Sequence, residues 1–349
     1  MLDVEKTLEL LTGEKGPSGF EAPVVQTARE LLKPYVDETW IDPLGSLVGV
    51  KRCGKANAKK LLLDAHLDEI GLMVTGMEEG FLRFAEIGGV DPRMLPDREV
   101  TVLTDPPLFG VVTCLPPHVL SADEANKSIP MDKLYIDVGL SQEEAVERLP
   151  VGTPITYRCG CFALGENRIC GKSLDDRSCF VALLLCAEAL QGVELDVDVY
   201  FMGSTREEIS GAGASCGTFA IAPDFCVAVD VTHAETPDVR SPKDRVFTLG
   251  GGPAIGVGPN MTTWMTNRMK DKARALGMDY QLEIMSGNTG TNAWGMQVSR
   301  EGVATSIVSL PLRYMHTPVE VLDKADLEAL GKLLAAFAVD IGKEAESLC

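Results

Sequence analysis

The run "KLLLDAH", Lys60 to His66, decides the fold. It is apolar at consecutive positions, the pattern of a strand buried on both faces and so of a parallel sheet with helices on each side. Working outward, similar runs recur in "DVDVYFMG" (Asp196–Gly203), "FCVAVD" (Phe225–Asp230) and "TSIVSL" (Thr305–Leu310). Helical patterns stand between and after them: "DDRSCFVALLLCAEAL" from Asp175, a small-residue segment after Glu208, a helix near Met265 to Leu276, and a closing helix from Lys324 to Ile341. Strands alternating with helices predict an α/β domain with a mostly parallel or mixed central sheet flanked by helices.

Upstream, Leu8, Leu10 and Leu11, then Val24, Val25, Ala28, Leu31 and Leu32, fall at helical spacing, and "SLVGV" reads as a strand. Between about Gly71 and Leu164 the texture changes. Short alternating strands, "LRFAEIG", "REVTVLT", "FGVVTCL" and "KLYIDVG", are broken by six prolines from Pro92 to Pro117. The one helix expected there is "SQEEAVERL", with Ser141 as N-cap and Glu144 three residues on. A small β-rich, barrel-like module, residues 71–164, is therefore expected inside a domain made from residues 1–70 and 165–349. At 349 residues the chain has room for both.

The formal charge of −19 argues against nucleic acid or an anionic membrane surface as a partner. No apolar run is long enough to span a bilayer, and the first residues are acidic where a signal peptide is basic, so a cytoplasmic address is expected. The ten cysteines are scattered, several within apolar patterns (Cys179, Cys186, Cys226), as buried reduced thiols would be. Cys159 and Cys161 lack a second pair at zinc-finger spacing.

Function turns on the ends of the runs. His66 closes "KLLLDAH", Glu207 and Glu208 follow "VDVYFMGST", Asp230 closes "FCVAVD", and His316 follows "TSIVSLPLRYM". Open α/β sheets place ligands at the carboxyl ends of their strands. Asp175 opens a helix, where an acidic residue also serves as a simple cap, and each of the others has an ordinary structural reading alone. Together they crowd negative charge at one sheet edge, which is costly unless cations sit there.

Two histidines and three carboxylates suit two divalent ions with one carboxylate bridging. Imidazole with carboxylate favours zinc by default, with cobalt as the alternative, over calcium or magnesium. Such a pair polarises a carbonyl and activates water, which suggests amide hydrolysis. One of the two adjacent glutamates can then hold metal while its neighbour serves as base. Asp68 is placed to hydrogen-bond the ligand histidine.

These residues lie in stretches that resemble the tetrahedral (TET) aminopeptidases, the glutamyl-aminopeptidase family of dinuclear metallopeptidases. The matching segments are "SGFE" (Ser18–Glu21), "AHLDEIG" (Ala65–Gly71), "LDDR" (Leu174–Arg177), "STREEISGAGA" (Ser204–Ala214), "AVDVTHA" (Ala228–Ala234), "GTNAW" (Gly290–Trp294) and "LRYMHTPVE" (Leu312–Glu320). The resemblance implies one metal held by His66, Asp175 and Asp230, and another by Asp175, Glu208 and His316. It makes Asp175 the bridge, Glu207 the general base and Asp68 the orienting carboxylate, with a cis peptide between Asp175 and Asp176. It also implies a dimerisation role for the inserted module, dimers assembled into a dodecamer, and short peptides trimmed from the N-terminus.

Cys179 departs from the family, which more often has glycine there, and His118 and His233 have no assigned role. Arg313 reads equally as a substrate contact or as scaffold, and "GGGP" (Gly250–Pro253) is too generic for a phosphate loop. Two rivals remain: a glucanase, which would use paired carboxylates but has no need of the histidines, and a non-catalytic metal-binding assembly, to which Glu207 is foreign.

Overall fold

A computed structural model describes residues 2–121, 127–237 and 246–342. The chain opens with α1 (Val4–Gly13), α2 (Ala22–Leu32), β1 (Glu38–Ile41), β2 (Leu47–Lys51) and β3 (Lys59–His66). It continues through β4 (Gly71–Glu78), β5 (Phe81–Ile87), β6 (Glu99–Val102), β7 (Leu108–Thr113), β8 (Tyr135–Asp137), α3 (Gln142–Arg148) and β9 (Pro154–Tyr157). Next come β10 (Phe162–Leu164), β11 (Arg168–Gly171), α4 (Leu174–Ala189), β12 (Val197–Ser204), α5 (Ala212–Ile221) and β13 (Phe225–His233). The last elements are β14 (Ala254–Val257), α6 (Thr263–Ala275), β15 (Gln281–Ile284), α7 (Ala293–Met296), β16 (Ala304–Leu312), β17 (Glu320–Asp323) and α8 (Lys324–Ile341).

Eight strands form a mixed sheet in the order β1-β2-β12-β3-β13-β16-β14-β15. Its centre, β12-β3-β13-β16, is parallel throughout, so four carboxyl ends line up on one edge. Both faces of β3 are buried as its continuous apolar run requires. Leu61, Leu63 and Ala65 join the core beneath α4 and α8, and Leu62 joins the core on the face of α5 and α7. Each fully buried leucine contributes about 2 kcal/mol of transfer free energy. α8 approaches α4 closely because Gly331 has no Cβ; one added there would lie 2.6 Å from Leu185 Cβ.

Strands β4-β5-β8-β7-β6-β9 close into an antiparallel barrel with its own core, including Leu72, Val100, Val112 and Ile155. α3 is the α-helix of this stretch, and Ser141 and Glu144 close the capping box that opens it. β10, β11 and β17 make a small antiparallel sheet leading into α4.

Some details differ from the sequence reading. Leu10, placed with Leu8 and Leu11 by spacing, is 47% exposed on the far side of α1. β13 runs on to His233, so Asp230 projects from within the strand and not from its end. The short edge strands β14 and β15 carry too few residues to give a periodic signal. Cys179, Cys186 and Cys226 are buried free thiols, and Cys179 packs in the main core beside Asp176 with its pKa pushed far up by burial.

Candidate metal centre

At the carboxyl edge of the parallel strands the chain gathers the residues singled out above. His66 is 2% exposed at the end of β3, and its Nδ1 donates to the carbonyl of Asp68 at 3.1 Å. In the neutral ring, Nε2 is then an acceptor, yet it faces Asp175 Oδ1 at 3.1 Å. His316 repeats the arrangement. Its Nδ1 donates to Gly89 O at 3.0 Å, and its Nε2 faces Asp175 Oδ2 at 3.4 Å and Glu208 Oε2 at 3.3 Å. Two lone pairs so close are reconciled by a proton on each Nε2 or by a cation bound between ring and carboxylate.

Asp175 thus turns one oxygen to each histidine. Residues 175 and 176 have non-helical dihedrals at the head of α4, and the peptide bond joining them is cis. The described residues contain two clusters able to hold a metal: His66, Asp175 and Asp230, and Asp175, Glu208 and His316. In each, all ligand atoms lie within 4.8 Å of one another. Neither includes a thiol.

The protonation energetics fit the same need. Burial pushes the carboxyls of Asp230 and Glu208 well above the ordinary range, and neighbouring carboxylates add to it. Burial also works to raise Asp175, but the two imidazoles outweigh it and hold that carboxyl low. Burial opposes charge on His66, yet its hydrogen bonds to Asp175 and Asp68 drive the ring well above its usual value. Without cations the cluster recruits protons, and a hard-oxygen plus imidazole donor set fits zinc or a similar ion.

Asp68 is fully buried, and its carboxylate accepts the amides of Glu207 and Glu208, each at 3.1 Å. It thereby fixes the direction of the two glutamates, and its oxygen stands 3.5 Å from His66 Nδ1, farther than its own carbonyl. Glu208 turns inward. Glu207 belongs to neither cluster, keeps a side chain 17% exposed, and brings Oε2 to 4.0 Å from His66 Nε2. Burial raises its pKa.

Sequence reasoning missed several supports. Gly89, from the loop after β5, brings the barrel against the site; a Cβ there would lie 2.9 Å from His316 Nδ1. Asn292 donates to buried Asp64 at 2.8 Å and to Ser204 at 3.0 Å, anchoring the start of α7 to β3 and β12. Glu320 and Glu69 brace the surrounding backbone from buried positions. Their signal lay in the motif stretches, but nothing local marked their partners. His118 and His233 are exposed and stand outside both clusters. Arg313 Nε donates to the carbonyl of Glu235, and the amides of Gly250 and Gly252 go to Asp326 at the start of α8.

A mixed sheet with this edge, joined to a closed barrel, is the fold of the TET peptidases. The chain belongs to the M42 glutamyl aminopeptidase family, whose profile matches residues 45–333, and so to the exopeptidase hydrolases. It is 36% identical over 332 residues to a lysyl aminopeptidase of Pyrococcus furiosus, covering 93% of this chain and 94% of that one. An aminopeptidase structure from the archaeon Desulfurococcus kamchatkensis superposes with a TM-score of 0.89 at 36% identity, over 97% of this chain and 94% of the other. The TET1 peptidase of Pyrococcus horikoshii, described as assembling into a tetrahedron or a large octahedral shell, superposes with a TM-score of 0.84 at 29% identity, over 97% and 100% of the two chains. Among the described residues, no helix is long and apolar enough to cross a membrane.

Proposed function

We propose that this chain is a metal-dependent aminopeptidase that removes N-terminal residues from short peptides. The observation that carries the reading is the pair of histidine Nε2 atoms, each aimed at its own oxygen of Asp175, with Glu207 beside them and outside both clusters. His66, Asp175 and Asp230 would hold one divalent ion, and Asp175, Glu208 and His316 the other, with zinc or cobalt as the ion. Two such ions supply Lewis acidity and a lowered water pKa when bound.

The chain's own residues do the rest. Glu207, partly exposed and with its pKa raised by burial, takes a proton from the attacking water and passes it to the departing amine. Asp68 keeps Glu207 and Glu208 pointing in different directions by holding both amides. Gly89 O and Asp68 O fix the tautomers of His316 and His66.

The module of residues 71–164 serves as the dimerisation unit inserted into a catalytic domain of residues 1–70 and 165–349, and dimers build a dodecamer in the cytoplasm. Its closed barrel supports this reading, as do the assemblies of the structural relatives.

The test is metal content and turnover of aminoacyl chromogenic substrates, for wild type and Glu207→Gln, after chelation and after metal return, with light scattering for mass. Two ions per chain, activity that follows them, and an inactive variant that still binds both are expected. A metal-loaded wild type that cleaves no aminoacyl bond, or a fully active Glu207→Gln, refutes it.

A further inference from the structure

Glu320 is a buried carboxylate with two separate grips. It lies on β17 opposite Gly171 of β11 and is 2% exposed. Its Oε2 accepts the amide of Asp175 at 3.1 Å, and its Oε1 accepts the amide of His316 at 2.9 Å. The first amide belongs to the residue shared by both metal clusters, at the head of α4. The second belongs to a residue of one cluster only, held at a φ of 62° in the left-handed region. The Asp175 amide is in the first turn of α4, where it has no intrahelical acceptor, and the His316 amide lies in a turn, so each needs a partner from elsewhere when buried.

We infer that Glu320 is a positioning residue that sets the spacing of Asp175 and His316, and so tunes the Asp175–Glu208–His316 site more than the His66–Asp175–Asp230 site. This rests on the two-ion reading given above. The chemistry of the side chain is specific to the task. A carboxylate offers an acceptor to each amide, whereas glutamine offers one acceptor and turns an N–H against the other amide. Aspartate keeps the acceptors but is one methylene short. Glu320 also lines a small cavity of about 10 Å³, room for the centre of one water, together with Asp175, Glu208 and Lys172. The span is also distinct from that of Asp68, which serves the glutamate pair.

The experiment compares full-length wild type, Glu320→Gln and Glu320→Asp, stripped of metal and titrated with Co²⁺. Visible absorption and metal analysis count the equivalents, and circular dichroism checks the fold. Substitutions of groups that orient ligands typically weaken binding ~10–100-fold. In Glu320→Gln the second equivalent should weaken at least about tenfold more than the first, with a shifted absorption band, and kcat should fall while KM moves little. Glu320→Asp should fail to restore either. Unchanged affinities and bands in folded Glu320→Gln, or full recovery with Glu320→Asp, overturn the inference.

Should neither variant fold, hydrogen exchange on wild-type holoenzyme decides: peptides spanning 174–177 and 314–318 must hold slow amides at Asp175 and His316, and rapid exchange there overturns it. A wild type that takes up no second Co²⁺ refutes the two-ion reading itself, and the inference falls with it.

Discussion

Replacing Glu69 by glutamine should destabilise the protein severely and change its acid profile. Glu69 is buried beside Lys172, whose Nζ lies 2.6 Å from Oε2, and Arg177, whose guanidinium lies 3.4 Å from Oε1. Its Oε1 also accepts the Gly16 amide at 3.1 Å and the Thr156 hydroxyl at 2.9 Å. One carboxylate therefore ties the loop after α1, the barrel strand β9, the end of β11 and the head of α4. Burial alone would raise its pKa, but Lys172 and Arg177 pull it down to about 2 from 4.5. At about 1.4 kcal/mol per tenfold, that displacement is worth about 3 kcal/mol.

Removing one partner of a buried ion cluster costs roughly 3–5 kcal/mol, because the remaining charges lose their counterion. With an unfolding entropy of about 2.1 cal/mol/K per residue, the melting temperature of Glu69→Gln should fall by roughly 4–7 °C at neutral pH. The sign with pH follows from the depressed value. The stabilisation is complete above the unfolded pKa of 4.5 and is lost as pH falls toward about 2, so wild type should lose it over that window and the variant should have little left to lose.

Calorimetry from pH 3 to 7 on wild type, Glu69→Gln, Lys172→Met and the double variant measures both effects. The double variant should be more stable than the sum of the single losses by about 2 kcal/mol, since it removes the orphaned amine along with its counterion. A drop under about 1 °C for Glu69→Gln, or strictly additive losses, would refute the reasoning.

Glu207→Gln should lower kcat by roughly 10²–10⁴ with metal content unchanged, measured by turnover and elemental analysis; parallel loss of metal would place Glu207 among the ligands. Chelation should abolish turnover and lower the melting temperature, and Zn²⁺ or Co²⁺ should restore both, because ions that bind only the folded chain stabilise it. Asn292→Ala should cost about 1–3 kcal/mol in denaturant unfolding by stranding Asp64 and Ser204; a neutral result would mean that water replaces the amide.

The central fold was legible because its signals are local. The continuous run at Leu61–Leu63 announces a strand buried on both faces, and the pattern from Lys324 to Ile341 matches α8 along its whole length. The chemistry-bearing residues stood out for a similar reason, since His66 and Glu207 follow apolar runs whose strands must line up in a parallel sheet. What stayed hidden is long-range. The partners of Glu320 include Asp175, 145 residues away, and Thr156 lies 87 residues from Glu69. Sequence spacing carries no trace of such pairings, nor of the barrel loop that brings Gly89 to His316. The short strands β14, β15 and β17 were likewise invisible, because four residues cannot establish a period.

Three of the acidic pairs surround the candidate site: Asp68 with Glu69, Asp175 with Asp176, and Glu207 with Glu208. In each, the neighbours diverge. Asp68 holds the glutamate amides while Glu69 binds the barrel and α4. Asp175 faces both imidazoles while Asp176 accepts the His66 amide at 3.1 Å. Glu208 meets His316 while Glu207 stays outside both clusters. Each pair thus places one charge at the site and a second acceptor in the framework that aims it, the Glu207–Glu208 pair from a turn and the Asp175–Asp176 pair from the irregular head of α4. The cost is a dense buried negative charge, visible in the raised pKa values of Asp176, Glu208, Asp230 and Glu320. Lys172 and Arg177 offset it on the framework side. At the clusters themselves the imidazoles of His66 and His316 face the carboxylates, and under the two-ion proposal bound cations would supply the rest of the compensation.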